Sequence, residues 1–201
     1  MYSLPANTLI NQPLYKKTVF EKFNLKTAER ERFDADISKM ALVARISPAT
    51  IPALPEGQEV KGFYVLQVTL KHQDYDTRNI LMLQKLIPQK MVFVLQYEQQ
   101  TQLCIFHTRL QQGEWQPSNT AVIPLQGLSL DDAWNNIVAT IGGLDAQSDE
   151  TIEEQINQRE QREKLLRQIE QLEKRCRTEK QTRRRYELHQ EIVKLRKELE
   201  G

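Results

Sequence analysis

Cysteine and histidine are scarce in this chain of 201 residues, which has two of the first and three of the second. Cys104 and Cys176 form no C-x-x-C and no framework spacing, which suits a reducing compartment rather than a disulfide scaffold. His72, His107 and His189 are scattered, so there is no H-E-x-x-H and no Cys/His metal spacing. G-x-x-x-x-G-K-S/T and G-x-G-x-x-G are both missing, which removes the two common phosphate-cradling loops. The sequence therefore calls for no metal and no cofactor. Long apolar runs are missing too: Met91 to Leu95 is far too short to cross a bilayer. Met1-Tyr2-Ser3-Leu4-Pro5 lacks the charged and apolar regions of a signal peptide. A soluble cytoplasmic protein with no membrane partner is expected.

Glycine and proline are also absent from Thr151 to Glu200, a stretch built mostly of Glu, Gln, Lys, Arg, Leu and Ile. Apolar residues recur there in two sets: Leu165, Ile169, Leu172 and Cys176, then Leu188, Ile192, Leu195 and Leu199. Each set steps by four, three and four, the seam of a coiled coil. A narrow seam on a charged helix needs another helix, from the same chain or from a partner. The two registers do not join, and Arg177 to Arg185 between them holds no aliphatic residue. Thr178-Glu179-Lys180-Gln181 has capping-box spacing, which would start a second helix. A helical hairpin is favoured over one uninterrupted helix. In it Leu165, Ile169 and Leu172 face Leu188, Ile192 and Leu195.

The sequence thus divides into an α+β globular domain, 1–145, and a C-terminal coiled-coil helical tail, 146–201. From Thr151 onward there are 14 basic and 11 acidic residues, leaving 14 basic and 16 acidic before Thr151, so the formal charge of +1 hides an asymmetry. Lys174, Arg175, Arg177, Lys180, Arg183, Arg184 and Arg185 set seven cations against one acid, Glu179, within twelve residues. Such a cluster fits nucleic-acid phosphates or an acidic protein partner. Only Tyr186 is aromatic nearby, so base stacking has little support.

In the first domain a helix is expected over Tyr15 to Phe23, with Tyr15, Val19, Phe20 and Phe23 on one side. Asn24-Leu25-Lys26 breaks it. Thr27 can cap a second helix whose buried stripe is Phe33, Ile37 and Met40. Ala41 to Ile46 reads as a strand, followed by a loop with Pro48, Pro52, Pro55 and Gly57. Val60 to Lys71 alternates as a strand does. Asp74 to Ile87 reads as a helix and Met91 to Leu95 as a central strand covered on both faces. Glu98 to Thr101 turns the chain into a strand over Leu103 to Thr108. Gln111 to Ser118 reads as a polar loop, and Ala121 to Leu125 as a last strand held at an edge by Pro124. Ser129-Leu130-Asp131-Asp132 caps a closing helix with Trp134, Ile137, Val138 and Ile141, ended by Gly142-Gly143. Asp145 to Asp149 is a polar hinge. The fold class is α+β, a mixed sheet of about five strands with flanking helices, followed by the helical tail.

One enzymatic pattern needs weighing. A strand ending in Thr69-Leu70-Lys71, then a helix, then an apolar strand, is similar to part of the PD-(D/E)XK nuclease core. That chemistry needs carboxylates around Mg²⁺ beside the lysine. Thr69 stands where an acid is required, and Glu56, Glu59, Asp74 and Asp76 do not fit the spacing. Cys104, inside Leu103-Cys104-Ile105-Phe106, reads as a core residue rather than a nucleophile. No reaction can be named.

Four segments carry a family resemblance: Ile46-Ser47-Pro48-Ala49-Thr50-Ile51, the strand Val65 to Lys71, Leu125-Gln126-Gly127-Leu128-Ser129-Leu130-Asp131, and Glu179 to Leu188. In their order the chain resembles the bacterial domain-of-unknown-function 4391 family over nearly its whole length. The resemblance implies a small accessory protein encoded beside helicases and restriction-modification or related phage-defence components. It supplies no catalytic residues, and the family pattern commonly has an acid where this chain has Thr69. The expectation is a non-enzymatic accessory subunit that docks a helicase or methyltransferase subunit through its C-terminal helices. The alternatives are a degenerate Mg²⁺-dependent nuclease and a structural homodimer.

Overall fold

The computed structural model describes residues 2–145 and 148–200. The chain divides into two compact units, 1–147 and 148–201. Residues 146 and 147 of the expected hinge lie outside the described residues.

The first unit is a sheet with helices on both faces. A single 3-10 turn, Ala6–Thr8, leads into β1 (Leu9–Leu14). Then come α1 (Lys16–Lys22), α2 (Thr27–Asp36), β2 (Ile37–Ile46), β3 (Phe63–Leu70) and α3 (Thr77–Leu86). β4 (Lys90–Tyr97), β5 (Gln100–Phe106), β6 (Leu110–Gln112), β7 (Gln116–Pro117) and α4 (Leu130–Gly142) complete it. The sheet has seven strands, in the order β1-β2-β3-β4-β5-β6, with β7 also on β5. Only β3 and β4 run parallel, because α3 carries the chain across between them. The α+β mixed sheet is thus present, with more strands than the sequence suggests.

Alternation along β3 divides the two cores. Leu66, Val68 and Leu70 point to the face covered by Val19 of α1, Phe33 of α2, and Ile80 and Leu83 of α3. Phe63 points the other way and meets Trp134 of α4 edge-on, with ring centroids 5.4 Å apart. Met91, Val92, Phe93, Val94 and Leu95 are all fully buried, as a central strand covered on both sides must be. Asp76 caps α3 by accepting the Arg78 N–H at 3.0 Å. Ser129 caps α4 by accepting the Asp132 N–H at 3.2 Å, and Gly143 ends that helix with φ 62°.

Several expected elements differ. The second helix does not reach Met40. It ends at Asp36, and Ile37 and Met40 bury themselves from β2 instead. Its N-cap is Lys26 rather than Thr27, with the Glu29 carboxylate accepting the Lys26 N–H at 2.9 Å. Tyr15 precedes α1 and is 70% exposed rather than on its buried side. Ala121 to Leu125 is not a strand. Ala121 and Ile123 are buried from an irregular segment, and the Ile123 N–H donates to the Tyr2 carbonyl at 3.1 Å. The polar loop after β5 contains β6 and β7, and β1 has no counterpart among the elements expected from sequence. β1 pairs antiparallel with β2 through a register shift between Leu9 and Gln12, and includes Pro13.

The second unit is a hairpin of two helices, α5 (Ile152–Thr178) and α6 (Thr182–Glu200), packed on each other. Thr151 caps α5 in a reciprocal capping box with Glu154. Thr178 does not open the second helix. It ends α5, its hydroxyl 3.1 Å from the Arg175 carbonyl, and the turn is Glu179 to Gln181. The turn needs no glycine because Glu179 takes ordinary extended geometry, φ −71° and ψ 124°. The Glu179 side chain then accepts the Gln181 N–H at 3.0 Å, fixing the reversal.

Candidate functional site: the basic tip of the hairpin

The hairpin gathers the seven cations at one end. Lys174, Arg175 and Arg177 lie in the last turns of α5, Lys180 in the turn, and Arg183, Arg184 and Arg185 in the first turn of α6. All seven side chains are exposed. Lys174 pairs with Glu170 at 2.7 Å, Arg183 with Glu187 at 3.3 Å, and Arg184 with Glu179 at 3.8 Å. The Lys174 ammonium holds the Glu170 carboxyl below its usual range. Arg175, Arg177, Lys180 and Arg185 have no carboxylate within 4.0 Å among the described residues.

Helix electrostatics sharpens the imbalance. Cations at the C-terminus of α5 complement its dipole. The same dipole is opposed at the N-terminus of α6, where three arginines stand and no acid lies in the first turn. Glu179 is the one acid of this cluster, and it is already engaged with Gln181 and Arg184. The tip therefore carries cationic charge that its own side chains do not neutralise.

The helix-pairing residues sit behind the tip. Ile169, Leu188 and Ile192 are buried, while Leu165, Leu172 and Leu195 are half-buried. Cys176 reaches across to the Arg185 carbonyl at 3.6 Å, and Arg196 to Glu173 at 2.7 Å. Two helices of one chain thus supply each other's apolar covering. Leu166 and Val193 stay outside that packing, 49% and 37% exposed.

The region around Lys71 is braced rather than convergent. The Lys71 N–H donates to the Asp36 carbonyl at 2.8 Å, and its ammonium reaches the Asp34 carbonyl. The Asp36 carboxylate, 6% exposed, accepts from Asn79 Nδ2 at 2.6 Å and from the Asp76 N–H at 2.8 Å, with His72 Nε2 at 3.3 Å. Asp76 is held by Arg78, whose hydrogen bonds keep its carboxyl below the usual range. Among the described residues no three His, Cys, Asp or Glu side chains converge as metal ligands. Burial pushes the Cys104 thiol up to about 12, outweighing its contact with the Tyr75 hydroxyl, so it is a poor nucleophile at neutral pH.

Two of the motif segments brace the chain around them. Thr50 accepts the Ser47 N–H at 3.0 Å, pinning the chain as it leaves β2. The Asp131 carboxylate accepts N–H bonds from Gln58 at 2.6 Å, Glu59 at 3.2 Å and Val60 at 2.8 Å. A Cβ on Gly57 would lie 2.1 Å from the Asp131 side chain. Only glycine lets the loop fold this tightly over the carboxylate. By sequence alone Asp131 reads only as a first-turn acid. The available signal is a second acid beside the cap, together with Gly57 in a proline-bounded loop.

The model of the family described as domain of unknown function (DUF4391) matches residues 3–199. The chain belongs to the DUF4391 family. The match spans both units, so the hairpin is part of the DUF4391 pattern rather than an appendage to it. No curated protein and no solved structure matches the chain. No helix among the described residues of this DUF4391 protein is long and apolar enough to cross a membrane.

Proposed function

We propose that this DUF4391 protein is a cytoplasmic, non-enzymatic accessory subunit of a bacterial DNA-processing or phage-defence assembly. Its hairpin is the contact arm and the basic tip touches nucleic acid. A helicase or methyltransferase subunit is the protein partner, met through the α+β unit or the sides of the hairpin. The observation that carries the reading is the tip itself: four cations without acidic partners among the described residues, beside a helix N-terminus that already disfavours positive charge. Phosphates relieve both conditions at once. Arg183, Arg184 and Arg185 fan around the helix, which suits a backbone contact without base readout.

Filter binding with single- and double-stranded DNA at two salt concentrations tests this. If about four phosphates are neutralised, affinity for duplex falls about a hundredfold between 50 and 200 mM salt. Changing Arg183, Arg184 and Arg185 to Gln weakens binding and flattens that dependence by about one in slope for each phosphate no longer neutralised. Unchanged affinity in the triple variant removes the nucleic-acid role of the tip. Mg²⁺-dependent DNA cleavage that disappears in Lys71→Ala would replace the accessory role with a nuclease.

A further inference from the structure

On one side of the hairpin α5 carries Arg159, Arg162, Leu166, Glu170 and Glu173. The steps between them are three, four, four and three, a spacing that reads the same in both directions. The charge reverses about the centre: two cations precede Leu166 and two anions follow it. Leu166 is 49% exposed, although it is the apolar residue at that centre. Arg196 of α6 lies on the same side, paired with Glu173, and helical geometry brings the exposed Val193 round beside it.

We propose that this side of α5 is a self-association surface on which a second copy packs antiparallel, with the two-fold axis at Leu166. Two-fold symmetry pairs each residue with its mirror position in the sequence. Arg162 then stands opposite Glu170 of the partner subunit, and Arg159 opposite Glu173 of the partner subunit. Both pairs occur twice, and the two Leu166 side chains meet at the middle. A parallel arrangement in register sets like charge against like and is disfavoured. An unrelated partner places no such demand for antisymmetry on one helix.

Intrachain pairing accounts for three of the four charges of this stripe, Glu173 with Arg196 among them, but not for Arg162. Glu170 pairs with Lys174 at 2.7 Å and Arg159 with Glu163 at 3.7 Å, both on the exposed surface. Arg162 has no carboxylate within 4.0 Å among the described residues. It is the residue the partner subunit's Glu170 would satisfy. The crossing spans about 20 Å of helix, and each basic tip lies about 20 Å along the axis from Leu166, at opposite ends of the pair. The inference stands whatever the tip binds.

The test is light scattering of the full chain with Arg162→Glu, Glu170→Arg and the combined variant. The wild type is expected to dimerise at micromolar concentration. Either single reversal sets two like-charged pairs across the axis and weakens the dimer about tenfold or more. Mixing the two single variants restores a one-to-one dimer, because each then meets the opposite charge in its partner. The combined variant dimerises with itself. Circular dichroism shows the helices intact, and the mixture's recovery is a readout that misfolding does not produce. A monomeric wild type, a single variant that dimerises unchanged, or a mixture that stays monomeric overturns the proposal.

Discussion

Replacing Asp131 by Ala removes the anchor of the loop between β2 and β3. Three backbone N–H groups lose their acceptor. Those of Gln58 and Glu59 belong to exposed residues and can turn to water, so releasing them costs little. Val60 is 2% exposed, and its N–H is left without a partner. An unsatisfied buried donor costs about 1–3 kcal/mol, and the charge on the acceptor strengthens each of the three bonds. A total of about 2–3 kcal/mol follows, or a fall in Tm of about 4–12 °C for a chain of this size. Thermal unfolding followed by circular dichroism at pH 7 measures it. The pH dependence gives a second check. Burial raises the Asp131 carboxyl, but the bonds from Val60, Gln58 and Glu59 outweigh it, so its folded pKa lies below the ordinary 3.8. A depressed carboxyl stabilises the fold fully above the unfolded value and loses that contribution as pH falls through the folded one. The gap between wild type and variant is therefore constant from pH 7 down to about pH 5 and narrows only below about 4. A variant that melts within about 1 °C of wild type, or a gap that closes already near pH 6, refutes the anchoring role.

Native protein should react with a thiol reagent at Cys176 alone, and the buried Cys104 should react only after denaturant is added, as a titration with a chromogenic disulfide reads directly. Trp134→Ala empties a site 1% exposed beside Phe63 and should cost about 3–5 kcal/mol in a urea melt, whereas Tyr15→Ala, at 70% exposure, should change little. Pairing Ile169→Asp with Ile192→Asp places two carboxylates in the hairpin seam. Far-ultraviolet circular dichroism should show a loss of helix corresponding to α5 and α6, while the near-ultraviolet signal of Trp134 persists.

Where local signals and burial agree, the fold is legible in the sequence. Met91 to Leu95 is readable because a strand covered on both faces has to be apolar throughout. The last helix of the first unit is readable because Ser129 and Gly143 mark its ends. The second helix is overextended by periodicity for an instructive reason. Phe33, Ile37 and Met40 fit a helical stripe, yet the same residues reach the same core with Phe33 in a helix and the others in a strand. Periodicity over three residues cannot separate these cases. Ala121 to Leu125 resembles a strand because Ala121 and Ile123 alternate into the core, but burial alone provides no ladder partner. β1 is hard to see because Asn11, Gln12 and Pro13 hide its pairing potential. In the tail, the break between the two registers correctly marks a reversal. The turn itself is misplaced by a Thr-to-Gln spacing that imitates a cap. The cations are visible in the sequence, but their gathering at one end requires the hairpin.

The outer strands of the sheet have a consequence for how this protein keeps company. On one flank the ladder is interrupted between Leu9 and Gln12, and Pro13 offers no amide hydrogen. On the opposite flank β6 has three residues and β7 two, too short to template an incoming chain. Neither margin invites foreign strands, so runaway cross-β growth has no ready starting point.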